Sequence, residues 1–124
     1  MKSVGKRILV VDDETVLAMD VEFILKEAGY GVVGPATNVA EGLDLIKKDR
    51  PDGAILDLTL SRGRSDEIAD HLAAHNIPFI FLSGHTEKDL PAAHKKRPLI
   101  EKPFRETDLL TALDQMIDAD APVQ

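Results

Sequence analysis

Five residues stand where side-chain chemistry is more demanding than folding requires. Asp12 and Asp13 follow the apolar run ILVV, Asp57 lies inside AILDL, Ser83 follows FIFL, and Lys102 sits in EKPF. A carboxylate cluster of this kind suits a hard cation such as Mg²⁺, which keeps several waters and binds through one or two carboxylates plus a phosphate oxygen. A carboxylate can also attack phosphorus to give an aspartyl phosphate. The charge on the transferring group then calls for a metal, an amine and a hydrogen-bond donor, the places that Lys102 and Ser83 would fill. Each piece has a plain alternative: an Asp pair after a strand serves as a helix cap, Ser-Gly as a turn, Lys-Pro as a surface loop. Asp57 is harder to explain away, because a lone charge in an apolar run is costly unless something retains it. Together the pieces point to one site.

The elements that must position these residues are legible from hydrophobic spacing. Strand candidates are Ile8 to Val11, Gly31 to Gly34, Ala54 to Leu58, Phe79 to Leu82 and Leu99 to Ile100. Helical patterns alternate with them, which predicts a parallel sheet built from βαβ units. Thr15 to Ala28 carries Leu17, Val21, Ile24, Leu25 and Ala28 and stops at Gly29. Asn38 caps a second helix through Val39, Leu43 and Ile46 that ends before Pro51. Ser65 opens a third with Ile68 and Leu72, and Thr107 to Ala119 forms the last. The stretch from His85 to Pro98 fits least well, with a short helix expected over Pro91 to Lys96 behind an N1 proline. In a parallel α/β sheet ligands bind outside the carboxyl ends of the strands, where all five chemical residues fall. Five such units use up the chain, so residues 1–124 read as a single domain with no effector domain.

Composition limits the partners. The 124 residues are 44% hydrophobic and 30% charged, with no cysteine, which excludes a disulfide framework, a thiol nucleophile and a Cys metal site. The 15 Lys+Arg against 22 Asp+Glu leave a formal net charge of -7, the wrong sign for binding nucleic acid. The short apolar run near the N-terminus is followed by acids, unlike a signal peptide, and no window reaches membrane-span length. A cytoplasmic protein with no membrane partner is expected.

The constellation resembles the receiver domain of two-component response regulators over essentially the whole length. The acidic pair of that family matches Asp12 and Asp13, the phospho-acceptor Asp57 in ILDLTL, the hydroxyl Ser83 in FLSG and the lysine Lys102 in EKPF. The resemblance implies a flavodoxin-like (βα)5 fold of strand order 2-1-3-4-5. It also implies Mg²⁺ held by Asp12, Asp13, Asp57 and the Thr59 backbone carbonyl, and phosphoryl transfer from a histidine kinase or histidine phosphotransfer protein. Such domains catalyse only their own phosphorylation and dephosphorylation and are not otherwise enzymes. The segment Pro78 to His85 (PFIFLSGH) further resembles the FAT GUY subgroup of single-domain receivers, although Leu82, Ser83 and His85 depart from its signature. Another departure is Leu99, three before the lysine, where receivers usually carry an aromatic switch.

Two other functions fit parts of the pattern. A Mg²⁺-dependent phosphatase or phosphotransferase would use Asp57 as nucleophile on a small substrate, but dehalogenase-type enzymes want an acid at position 59, which is Thr. A phosphorylation-independent pseudo-receiver would not need the intact set of five. The outward face of the first helix, with Ala18, Met19 and Glu22, and the Pro103-Phe104 loop are the expected recognition surface. A downstream protein target is expected, and the domain itself is read as a monomer or weak homodimer. His71 and His75 read as a solvated helical face, whereas His85 stands close enough to Ser83 to look into the site. Without an aromatic switch, the readout is expected in residues 84–98.

Overall fold

The computed structural model describes residues 5–60, 63–84 and 97–119. Five parallel strands, β1 (Arg7–Val11), β2 (Gly31–Ala36), β3 (Gly53–Asp57), β6 (Phe79–Ser83) and β7 (Leu99–Glu101), form one sheet in the order β2-β1-β3-β6-β7. Counting these five alone, the order is 2-1-3-4-5, as expected of a flavodoxin-like sheet. Two-residue strands β4 (Thr59–Leu60) and β5 (Gly63–Arg64) form a separate antiparallel pair beyond β3. Among the described residues there are four helices: α1 (Thr15–Glu27), α2 (Val39–Asp49), α3 (Asp66–Ala74) and α4 (Glu106–Ala119). The helix expected over Pro91 to Lys96 lies outside the described residues.

Why the central strands read as unbroken apolar runs is visible in the two faces they serve. Leu9, Val11, Ala54, Leu56, Phe79 and Phe81 point to one face and pack with Ile46, Ile68 and Leu72 of α2 and α3. Their neighbours Ile8, Val10, Ile55, Ile80 and Leu82 point to the other, against Val21 and Leu25 of α1 and Leu109, Leu113, Met116 and Ile117 of α4. The alternation places both sets in a core, as a sheet covered on both sides requires. Tyr30 adds a cross-tie, its buried hydroxyl donating to Asp114 Oδ1 of α4 at 2.6 Å.

Local signals set the element ends. Asn38 Oδ1 accepts the Glu41 N–H at 2.9 Å, while Glu41 Oε1 accepts from the Thr37 N–H and hydroxyl at 2.8 and 2.7 Å. The result is a reciprocal cap on α2. Thr37 also holds the Glu41 carboxyl below its usual range. Ser65 precedes α3 but does not cap it with its side chain; its hydroxyl instead lies 3.4 Å from the Leu58 carbonyl. Gly34 needs to be glycine, since at φ +91° an added Cβ would come within 2.7 Å of the Ala36 nitrogen. The β1–β2 register shifts across the same stretch.

The phase of α1 corrects one sequence expectation. Its buried residues are Ala18, Val21 and Leu25, so Ala18 belongs to the interior and not to an outward face. At the start of the helix the residue three before Val21, not the one four before, turns toward the sheet. Leu17 and Ile24 are consequently half-buried, and the large apolar side chains left in solvent are Val16, Met19 and Phe23. Glu22 is half-buried and pairs with Lys26 at 2.7 Å.

Candidate functional site

Backbone register brings the separate strand ends to one rim. Val11 is level with Leu56, Asp57 with Leu82, and Ser83 with Glu101. The Asp12 N–H donates to the Ala36 carbonyl at 2.9 Å, that of Leu58 to Leu82 at 2.9 Å, and that of Lys102 to Ser83 at 2.8 Å. Each chemical residue therefore sits in or next to a hydrogen-bonded ladder of the central sheet.

Three carboxylates meet there. One oxygen from each of Asp12, Asp13 and Asp57 lies within 4.8 Å of the others, and no other group of three such ligands occurs among the described residues. Asp12 and Asp57 are 1% and 5% exposed, so their charges lie largely out of water; Asp13 is half-buried. Asp12 Oδ1 accepts the Glu14 N–H at 2.8 Å. Asp12 Oδ2 is buried with no hydrogen-bond partner among the described residues. Burial raises the Asp12 carboxyl above its ordinary range, outweighing the Glu14 N–H and the Lys102 charge, which pull it down. An orphaned buried oxygen facing two further acids is the donor set a hard divalent cation satisfies.

The amine is shared. Lys102 Nζ lies 3.4 Å from Asp57 Oδ2, 3.7 Å from Asp12 Oδ2 and 3.3 Å from Glu14 Oε1. Burial works against its charge, but Asp57, Asp12 and Glu14 outweigh burial and raise its pKa above the ordinary lysine value. Ser83, 2% exposed, closes β6 beside the amine's own backbone. Thr59 follows two residues beyond Asp57 at the start of β4. The structure thus brings Asp12, Asp13, Asp57, Ser83 and Lys102 together. It adds Glu14, which sequence reasoning missed although it is the third acid of the run DDE. His85 lies outside the described residues. The His71 and His75 rings lie 4.6 Å apart and belong to no such cluster among the described residues.

Beside the rim, Leu17, Asp20, Phe23, Ile24, Lys102, Pro103 and Phe104 line a cleft of about 330 Å³. Leu99 is half-buried against the face that holds Phe79 and Phe81. No helix among the described residues is long and apolar enough to cross a membrane.

Comparison with known proteins agrees with this geometry. The family model for the response regulator receiver domain matches residues 8–114. The transcriptional regulatory protein PdtaR of Mycobacterium tuberculosis is 29% identical over 116 residues, covering 90% of this chain and 57% of PdtaR. The phyllosphere-induced regulator PhyR of Methylorubrum extorquens is 30% identical over 114 residues, covering 89% of this chain and 43% of PhyR. The chain therefore spans about half the length of these curated relatives. The solution structure of SdrG from Sphingomonas melonis Fr1 superposes with a TM-score of 0.80 at 31% identity, covering 94% of this chain and 99% of SdrG. With the matched region running from the first strand into the last helix and the acid, hydroxyl and lysine positions on one rim, this chain belongs to the response regulator receiver domain family of two-component signalling.

Proposed function

We propose that this receiver takes a phosphoryl group onto Asp57 from a histidine kinase or histidine phosphotransfer protein, with Mg²⁺ bound, and that the modification changes its contacts with a protein target. The observation that carries this reading is the Asp57 carboxylate itself: buried at a strand end, 3.4 Å from an amine and grouped with two further acids. An Asp57 oxygen attacks phosphorus, the new O–P bond replaces the P–N bond of a phosphohistidine, and the departing imidazole keeps the electron pair. Asp12, Asp13, Asp57 and the Thr59 carbonyl would hold the cation. When bound, it supplies charge neutralisation at the phosphoryl oxygens and relieves the repulsion among the acids. Lys102 meets a phosphoryl oxygen, and Ser83 donates its hydroxyl to another.

The phosphodonor docks on the exposed face of α1, where Val16, Met19 and Phe23 are 75%, 61% and 65% exposed. Three large apolar side chains on one helix are more than the scatter normal for a surface. The adjoining cleft with Pro103 and Phe104 extends this face to the rim. The test is phosphoryl incorporation. Asp57→Asn should abolish labelling from both acetyl phosphate and a phosphorylated kinase domain. Stoichiometric labelling of that variant at another residue would overturn the assignment.

A further inference from the structure

Glu14 occupies the N-cap position of α1 with extended backbone (φ -87°, ψ 102°), yet its carboxylate makes no cap hydrogen bond. An acidic side chain at a helix start ordinarily serves the free amide groups there. This one instead reaches 3.3 Å from Lys102 Nζ, on the open side of the rim, while the Asp12 carboxylate holds its backbone N–H at 2.8 Å. The three carboxylate distances to Nζ are 3.3, 3.4 and 3.7 Å. All exceed the roughly 2.7–2.9 Å of a settled charge-assisted bond, so the amine is divided among acids and held ideally by none. We infer that Glu14 is a positioning residue that competes for the Lys102 amine, drawing it off whatever group Asp57 carries and so limiting how readily the rim takes up a phosphoryl group.

The inference rests on the proposed phosphoryl-accepting role. A cation held by Asp12, Asp13 and Asp57 would compete with Lys102 for the Asp12 and Asp57 carboxylates, whereas Glu14 lies outside that three-acid group. Of the three acids around the amine it is the one free of that competition, and so a rival of the incoming phosphoryl oxygens. Its own side chain is 63% exposed, which makes the competition sensitive to salt.

Glu14→Gln and Glu14→Asp test this, with Glu27→Gln as a control for net charge at the other end of α1. Beryllofluoride affinity is measured in Mg²⁺ by calorimetry, and acetyl phosphate labelling by intact mass, each at low and high salt. Glu14→Gln should bind beryllofluoride roughly two- to fivefold more tightly and label faster by a similar factor at low salt, the gap closing at high salt. Glu14→Asp should behave like Glu14→Gln, because the shorter side chain withdraws the carboxylate from Nζ. In the metal-free protein, the Lys102 side-chain ammonium resonance should move in both variants and stay put in Glu27→Gln. Unchanged or weaker binding in Glu14→Gln overturns the inference. So does Glu14→Asp matching the parent, which reduces the effect to bulk charge, or a Lys102 resonance that does not move. If the parent itself neither binds beryllofluoride nor labels, the phosphoryl-accepting role fails and this inference falls with it.

Discussion

Asp12→Asn should stabilise the metal-free protein while removing most of its response to Mg²⁺. Asp12 Oδ2 is buried without a hydrogen-bond partner among the described residues, and such a group costs about 1–3 kcal/mol. Against that stands the loss of a 3.7 Å contact to Lys102, which lies beyond hydrogen-bond reach and leaves the amine its Glu14 and Asp57 partners, a loss of about 1 kcal/mol. Asn retains the oxygen that accepts the Glu14 N–H and gains an amide donor facing the other acids. A net gain of up to about 2 kcal/mol corresponds to a melting temperature raised by up to about 8 °C in a domain of this size. The parent should gain about 1.4 kcal/mol from Mg²⁺ at ten times its dissociation constant, and the variant far less. The pH dependence has a definite sign. Because the folded carboxyl titrates above its ordinary 3.8, the native state keeps a proton that the unfolded chain has released. Parent stability in EDTA should therefore rise as the pH falls through the raised value toward 3.8, a rise that Asp12→Asn lacks. Thermal melts of both proteins in EDTA and in Mg²⁺ check this. An Asp12→Asn protein that melts at or below the parent in EDTA, and gains as much from Mg²⁺, would refute the reasoning.

Further perturbations separate the roles of neighbouring residues. Lys102→Ala should leave Mg²⁺ stabilisation largely intact while impairing phosphoryl uptake, measured by melts and intact mass side by side. Met19→Lys and Phe23→Lys should slow transfer from a phosphorylated kinase by at least tenfold and leave acetyl phosphate labelling unchanged; equal losses in both assays would place these residues in folding. Tyr30 is buried and bonded to Asp114, which raises its pKa above 10.0. Its contribution is whole below pH 10 and declines as the pH climbs beyond it, so Tyr30→Phe should cost about 1 kcal/mol at neutral pH and flatten the alkaline limb of a stability profile.

Much of this arrangement was legible because it rests on short-range patterns. The unbroken apolar runs ILVV, AIL and FIFL mark strands buried on both faces, and Asn38 and Gly29 mark helix ends whose geometry is local. The acids and lysine were found because charges at the ends of apolar runs are anomalous at the level of single residues. The phase of α1 was not legible to one residue, since Leu17 and Ala18 are both compatible with a stripe through Val21, and only packing against the sheet decides between them. The β4–β5 pair is two residues per strand, too short for any periodicity. Glu14 escaped notice for a different reason: its partner is 88 residues away, and an acid before a helix already has an adequate local explanation in capping.

The central claim is that the buried Asp57 carboxylate accepts a phosphoryl group in a cation-dependent reaction. Incubation with acetyl phosphate, followed by intact mass and site mapping, tests it most directly. A single labile phosphoryl adduct should form on Asp57 in Mg²⁺, none in EDTA, and none in Asp57→Asn. Labelling that persists in EDTA, or that maps to another residue, would contradict it.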